Sequence, residues 1–251
     1  MIRLDRGGLG VPPEIAARGV ADLDRIAGLR AAETLKSDDF DASIYAAAPI
    51  KDALWKAQHR KCCFCEQKRE RAYASVEHFR PKTKARGADG RLEWGYWWLA
   101  YRIENLFFAC MNCNGPKRDW FPVATGTTRT PPGVLPWSGA PTEQAMVVDP
   151  GHEDPEQHIQ FVKHPVTGRW RIAARTERGE VTIRLTTLDR DDLDELRDDH
   201  LNLVGRLLVE KRDAAGPEGM EDVRLRARHA AAPNMPFALL MRCFLRAEGL
   251  L

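Results

Sequence analysis

The 251-residue sequence has no long hydrophobic run and no recognisable secretory signal peptide at its N-terminus. No apolar stretch approaches the roughly 18–20 residues of a membrane-spanning helix. The opening residues, MIRLDRGGLGVPPEI, contain no apolar leader segment. These absences argue against a membrane protein and an exported protein, and we expect the chain in the cytoplasm. With 43% hydrophobic and 29% charged residues, the composition is that of a globular protein with a buried core.

Cysteine is scarce, and its placement is uneven. Five of the six cysteines lie in two short clusters, at 62–65 and 110–113, while Cys243 stands apart. An even count can indicate disulfides, but in a reducing compartment tight cysteine pairs are typical of metal binding. Cys63 is the spare member of the first cluster, and we expect Cys243 in the core.

Each cluster contains one C-x-x-C pair, formed by Cys62 with Cys65 and by Cys110 with Cys113. Four thiolates suit the tetrahedral coordination of Zn²⁺, and the i, i+3 spacing lets both sulfurs of a pair face one ion. We therefore predict a structural zinc site that joins the two ends of segment 62–113. Two alternatives stay open: buried free thiols, and a thioredoxin-like redox pair, for which the expected βαβ context is missing.

The formal net charge of +2 is unevenly distributed along the chain. Residues 51–122 contain 15 Lys and Arg against 8 Asp and Glu, so this segment carries +7 and the remainder −5. A basic segment inside an otherwise acidic chain is typical of a protein that binds a polyanion. A solvated basic face is the alternative interpretation.

Hydrophobic periodicity predicts helices towards both ends of the chain and short strands before the last helices. Helices are predicted at 14–36, 42–60 with a break near Pro49, 189–215, 218–231 and 236–249, and strands at 146–149, 158–163, 169–174 and 181–185. The Pro- and Gly-rich segment 121–145 is predicted to be a loop. This α+β organisation divides into an N-terminal helical region (1–50), a core (51–122), and a linker with short strands and C-terminal helices (123–251).

The segment YASVEHFRPK, residues 73–82, places a carboxylate and an imidazole side by side. His78 can take a proton from water near neutral pH. Glu77 and the amide oxygen of Asn114 are oxygen ligands of the kind that Mg²⁺ accepts. Pro81 predicts that a strand ends near His78, where two sequence neighbours can serve one site. The nearby cations that could contact a phosphate backbone are Arg80, Lys82, Lys84, Lys117 and Arg118.

The order of these motifs resembles that of the HNH endonucleases, which have the ββα-metal fold. The motifs are CCFC (62–65), EHFRPK (77–82), ENL (104–106) and CMNCNGPK (110–117). The resemblance covers roughly residues 60–120 and implies a zinc-stapled ββα-metal core. It further implies that His78 is the general base, that Glu77 and Asn114 hold a catalytic Mg²⁺ or Mn²⁺, and that Asn105 tethers the loop that holds His78.

Three later blocks, 146–161, 181–197 and 236–246, resemble the HNH subunits of bacterial anti-phage systems such as Septu and some retron systems. This resemblance implies an ABC/SMC-like ATPase as partner and a docking role for the C-terminal region. It also implies nucleic acid as the substrate, with DNA favoured over RNA.

Two other functions fit parts of the pattern. One is a non-catalytic, zinc-stapled nucleic-acid-binding module in which His78 only packs or contacts phosphate. The other is a scaffold that activates an ATPase. The enzyme is favoured because Glu77, placed in a basic groove, would repel phosphate unless a cation is bound.

Overall fold

The structure is a computed structural model that describes residues 1–137, 143–216 and 219–251. It is a mixed α+β chain with three two-stranded antiparallel sheets in the described part. The helices are α1 (Pro13–Ala31), α2 (Ala42–Tyr45), α3 (Ala48–Ala57), α4 (Met111–Lys117), α5 (Glu177–Leu185), α6 (Asp191–His200), α7 (Arg206–Ala214), α8 (Met220–Ala230) and α9 (Ala238–Ala247). The strands are β1 (Ala74–His78), β2 (Lys84–Arg86), β3 (Leu92–Trp94), β4 (Leu106–Cys110), β5 (Ile159–Lys163) and β6 (Trp170–Ala174). Within these ranges no helix combines the length and apolar character needed to cross a bilayer.

The centre of the chain is built from β1, β4 and α4. The two strands pair antiparallel, from Ala74 opposite Cys110 to His78 opposite Leu106. The chain passes directly from β4 into α4. The short hairpin of β2 and β3 lies in the connection between β1 and β4. The end of β1 and the start of α4 are therefore fixed relative to each other through β4.

Strand β4 is buried on both faces, which explains its unbroken run of apolar residues. Within β4, the successive residues Phe107 and Phe108 belong to two different hydrophobic cores, because successive side chains of a strand point to opposite faces. The core that contains Phe107 also contains Ile2, Phe64 and Leu245, so it draws on both termini of the chain. The site described below therefore rests on packing that extends over the whole sequence.

The N-terminal helices broadly follow the prediction, with shifted ends. Helix α1 stops at Ala31 rather than 36, because Glu33 has a φ of 59° in the left-handed region, which an α-helix cannot continue through. The second predicted helix is interrupted before Pro49, giving α2 and α3. Pro49 lies in the first turn of α3, where its missing N–H is not needed. It therefore begins a helix instead of kinking one.

In the C-terminal half, the predicted strands at 158–163 and 169–174 are confirmed as β5 and β6. The predicted helices at 218–231 and 236–249 are confirmed as α8 and α9, apart from residue 218, which lies outside the described part. The prediction at 189–215 is met by α6 and α7, joined by one π-helical turn at Leu201–Gly205.

Two strand predictions are wrong. Residues 181–185 belong to helix α5, which begins after Thr176, whose hydroxyl accepts from the Gly179 N–H as a helix N-cap. Residues 146–149 are buried but pair with no strand in the described chain. The N–H of Met146 donates to the Pro122 carbonyl and that of Val148 to the Thr182 hydroxyl. The predicted loop at 121–145 contains no helix or strand where it is described, and residues 138–142 lie outside that part.

Candidate active site and metal centre

Four buried cysteines form a sulfur cluster: Cys62, Cys65, Cys110 and Cys113, whose Sγ atoms all lie within 4.8 Å of one another. Four sulfurs placed tetrahedrally around zinc at about 2.3 Å are about 3.8 Å apart. The Cys65 and Cys110 Sγ atoms are 3.8 Å apart. The predicted grouping of the two C-x-x-C pairs is confirmed, and the cluster could hold a zinc ion.

The sulfur cluster is supported from both halves of the chain. The Cys110 N–H lies 3.4 Å from the Cys62 Sγ, and the Arg190 guanidinium lies 3.6 Å from the Cys113 Sγ. A nearby cation suits the negative charge that four thiolates around one Zn²⁺ would carry. Cys63 and Cys243 lie outside the sulfur cluster, as expected, although Cys243 is only partly buried.

His78 is the last residue of β1, and its ring is held on two sides. Its Nε2 lies 2.9 Å from the Ala100 carbonyl oxygen, and the Tyr45 ring meets it edge-on at 4.6 Å between centroids. Since a carbonyl only accepts, Nε2 carries the proton, and Nδ1 of the neutral ring is the acceptor. Burial, followed by the charge of Lys82, lowers the pKa of His78 to about 3. The imidazole is therefore neutral at physiological pH, as a general base must be.

Asn105 holds the residues that follow His78. Its Oδ1 accepts from the Arg80 N–H at 2.8 Å, and its Nδ2 donates to the carbonyls of Arg80 at 3.0 Å and Leu99 at 3.3 Å. Its own carbonyl accepts from the Phe79 N–H at 2.9 Å. The side chain is fully buried. These contacts hold the backbone of residues 79–80 directly after His78, and the tethering role that the resemblance implies for Asn105 stays a prediction.

Asn105→Ala should destabilise the protein by about 2 kcal/mol, since it leaves the buried N–H and carbonyl of Arg80 without their partner and removes one of the two donors to the Leu99 carbonyl. Thermal unfolding followed by circular dichroism measures this loss. The matched control is Asn202→Ala, at an exposed asparagine. Equal melting temperatures for the two variants would contradict the tether.

Helix α4 carries Asn114 and also brings Lys117 against Glu77 of β1. The Asn114 Nδ2 donates to the Ser75 hydroxyl at 2.8 Å, and the Lys117 ammonium lies 2.6 Å from the Glu77 Oε1. No described residue donates to the Asn114 Oδ1, which leaves this oxygen available to a ligand. Burial raises the pKa of the Glu77 carboxyl, while the charge of Lys117 opposes that rise.

One cavity of about 610 Å³ joins these groups. Glu77, His78 and Asn114 all line it, together with Ser37, Pro81, Lys82, Thr83, Lys84, Arg86, Arg118, Asp119 and Trp120. The predicted imidazole and the two predicted oxygen donors thus share one opening.

Three of the five predicted phosphate contacts lie at this cavity. They are Lys82, Lys84 and Arg118. The Lys82 ammonium donates to the Ser37 carbonyl, and the Lys84 ammonium lies 3.3 Å from the centre of the Trp94 ring.

The other two predicted phosphate contacts are corrected. Arg80 is buried, with its guanidinium 3.0 Å from Glu143 and 3.6 Å from Asp149. Lys117 is fully buried against Glu77. Neither cation is available to a phosphate backbone, because each already neutralises a carboxylate inside the protein.

Sequence reasoning missed several contributors to the cavity and its walls, among them Ser37, Tyr45, Arg86 and the Ala100 carbonyl. Arg86 lies in the same basic run as Lys84, and that run could have indicated it, although it pairs with Asp119. The other contributors have no local signal, because only tertiary packing brings them to His78 and Lys82.

Comparison with known proteins adds a relative. No family model matches the chain, and no solved structure matches it significantly. The sequence is 32% identical over 167 residues to the Septu protein PtuB of Bacillus mycoides (strain KBAB4). The chain is a relative of PtuB. The match covers 64% of this chain and 54% of PtuB, so it spans about half the length of that relative.

The chain also matches a second protein of the same strain, the Septu protein PtuA. The identity is 22% over 139 residues, which covers 55% of this chain and 18% of PtuA. Two proteins that carry the Septu name thus share sequence with the chain.

Proposed function

We propose that the chain is a metal-dependent HNH endonuclease with a ββα-metal core at residues 51–122, acting in a Septu-type anti-phage system. The single observation that carries the proposal is the shared cavity. A neutral imidazole, a carboxylate and a free amide oxygen line it beside lysine and arginine side chains. General base, hard-cation ligands and phosphate-binding cations are the three components that hydrolysis of a phosphodiester needs.

His78 acts as the general base in this proposal. The Ala100 carbonyl fixes the proton on Nε2, so Nδ1 takes the proton from a water molecule lined up with the scissile P–O bond. The Tyr45 ring packs against the imidazole, and Asn105 holds the backbone that follows His78. Cleavage leaves 5′-phosphate and 3′-hydroxyl ends.

Glu77 and Asn114 would hold Mg²⁺ or Mn²⁺. The donor set fits, since both ligands are oxygens, the Asn114 nitrogen is engaged by Ser75, and only Oε1 of Glu77 is taken by Lys117. Such a cation supplies neutralisation of charge on the scissile phosphate and on the leaving oxygen. The protein holds the two ligands at a fixed separation. Glu77 lies on β1 and Asn114 on α4, and hydrogen bonds join these two elements.

The cations that line the cavity bind the nucleic-acid backbone on either side of the scissile bond. Lys84 and Arg118 line the cavity without an acidic partner in the described part of the chain. Arg86 is already paired with Asp119. The contribution of these side chains is electrostatic and therefore depends on salt.

The double variant Lys84→Gln/Arg118→Gln should bind duplex DNA more weakly and with a smaller salt dependence. Removal of two phosphate contacts is expected to reduce the slope of log K against log salt by about 2. Fluorescence anisotropy in EDTA measures binding without cleavage. The control is Lys211→Gln/Arg224→Gln, which removes two exposed cations far from the cavity. An equal change of slope in both variants would place the binding surface elsewhere.

The proposal also includes a partner. PtuA and PtuB are both Septu proteins, and the chain shares sequence with each. We propose that the chain works with a PtuA-like, ABC/SMC-like ATPase subunit, and that the region 123–251 docks it. The aligned region spans only part of PtuB, so this assembly is tested directly by co-purification of the two proteins.

The decisive experiment is incubation of the purified protein with plasmid, single-stranded DNA and tRNA, in Mg²⁺, Mn²⁺ or EDTA. It is run with and without a PtuA-like ATPase subunit. We expect cleavage that EDTA abolishes, with DNA cut in preference to tRNA. Binding of nucleic acid without cleavage under every condition would instead support the non-catalytic binding module.

A further inference from the structure

Lys117 is a fully buried lysine at the end of α4. Its ammonium lies 2.6 Å from the Glu77 Oε1 and 3.4 Å from the His78 carbonyl oxygen. It also lies 5.9 Å from the centre of the Phe79 ring. Lysine is almost never fully buried unless it is paired. All of these contacts lie within the protein. They involve three consecutive residues, which are the last two of β1 and the one that follows it.

Two side-chain contacts join α4 to β1: Asn114 with Ser75, and Lys117 with Glu77. Asn114 and Lys117 are three residues apart and share one face of the helix. Their partners Ser75 and Glu77 are two residues apart and share one face of the strand. The same two contacts therefore set how far the Glu77 carboxylate lies from the Asn114 amide. Those two groups are the ones proposed to hold the divalent cation.

A buried carboxylate needs a positive partner whether or not a divalent cation is present. Glu77 has one such partner among the described residues, the Lys117 ammonium. The cavity is otherwise open to any cation that approaches Glu77 from solvent. The Lys117 ammonium and a bound divalent cation would thus both balance the charge of the Glu77 carboxylate.

We propose that Lys117 is a positioning residue that acts as the resident counter-ion of Glu77, holding this ligand in place before a divalent cation binds. The inference rests on the proposed function. It assigns to Lys117 a role in preparing the cation site rather than in contacting substrate.

The test compares wild type with Lys117→Met. In the variant, Glu77 loses its internal partner, and only a divalent cation can replace it. The variant should therefore melt at a lower temperature than wild type in EDTA, and MnCl₂ should raise its melting temperature more than it raises that of wild type. Cleavage at saturating Mn²⁺ should fall by roughly 10²-fold, because the ligand is no longer held in position.

Two further variants keep the test decisive. Glu77→Gln/Lys117→Met removes both charges, so it should melt above Lys117→Met in EDTA and lose the response to MnCl₂. Lys163→Met, at an exposed lysine of β5, should behave as wild type throughout. The inference is overturned if MnCl₂ shifts Lys117→Met and wild type equally, or if the double variant is no more stable than the single one.

The outcome also separates this inference from the proposed function. Wild type that cuts DNA, with a Lys117→Met variant that responds to MnCl₂ as wild type does, overturns the counter-ion role alone. Wild type that neither cuts nucleic acid nor is stabilised by MnCl₂ overturns the nuclease proposal.

Discussion

His78→Ala will abolish nucleic-acid cleavage while leaving the fold and the zinc content intact. Loss of a general base lowers the rate by about 10²–10⁴-fold. The imidazole lies outside the sulfur cluster, so the metal content should not change. Single-turnover cleavage of labelled DNA measures the rate, and elemental analysis measures the zinc.

The matched control is His229→Ala, at an exposed histidine of α8. It should cut at the wild-type rate. Because His78→Ala leaves a space beside Ala100 and Tyr45, added imidazole should restore part of the activity. A His78→Ala protein that cuts at near the wild-type rate would refute the base assignment.

Cys110→Ser will lower the zinc content from one ion per chain to none and leave little soluble protein. Structural zinc sites contribute about 10–16 kcal/mol to the folded state. A typical domain is stable by only about 5–15 kcal/mol. Loss of one of four ligands should therefore prevent stable folding. Zinc stoichiometry and thermal unfolding measure the two effects.

Cys63→Ser provides the control, since Cys63 is also buried and is adjacent to Cys62 but lies outside the sulfur cluster. This variant should retain one zinc per chain, with at most a modest loss of stability. Unchanged zinc in Cys110→Ser would exclude the four-thiolate site.

The sequence predicted those parts of the site that depend on local spacing. The C-x-x-C pairs indicated the sulfur cluster because the spacing itself brings two sulfurs together. The end of β1 at His78 followed from Pro81, which cannot donate to a sheet ladder. Asn105 was indicated by the motif order, and in the structure its side chain binds the backbone of Arg80.

The remainder depended on long-range packing, which spacing does not encode. The basic run at 80–86 and 117–118 indicated cations, but not that Arg80 faces Glu143 while Lys84 faces the cavity. The β-branched residues at 181–185 favoured a strand. However, Gly179 packs so closely on the His158 carbonyl that a Cβ there would lie 2.0 Å from its oxygen. This close approach and the Thr176 cap favour a helix against β5 over an added strand.

The contact of Arg190 with Cys113 has a consequence during synthesis of the chain. All four sulfur ligands leave the ribosome well before residues 187–190. In the folded protein, these later residues cover one side of the sulfur cluster. Arg190 contacts Cys113, and the Thr187 hydroxyl donates to the Asn112 carbonyl. A nascent chain therefore presents its thiols uncovered for the time needed to make some seventy further residues. Zinc delivery during that interval would let the C-terminal half close over a site that is already loaded.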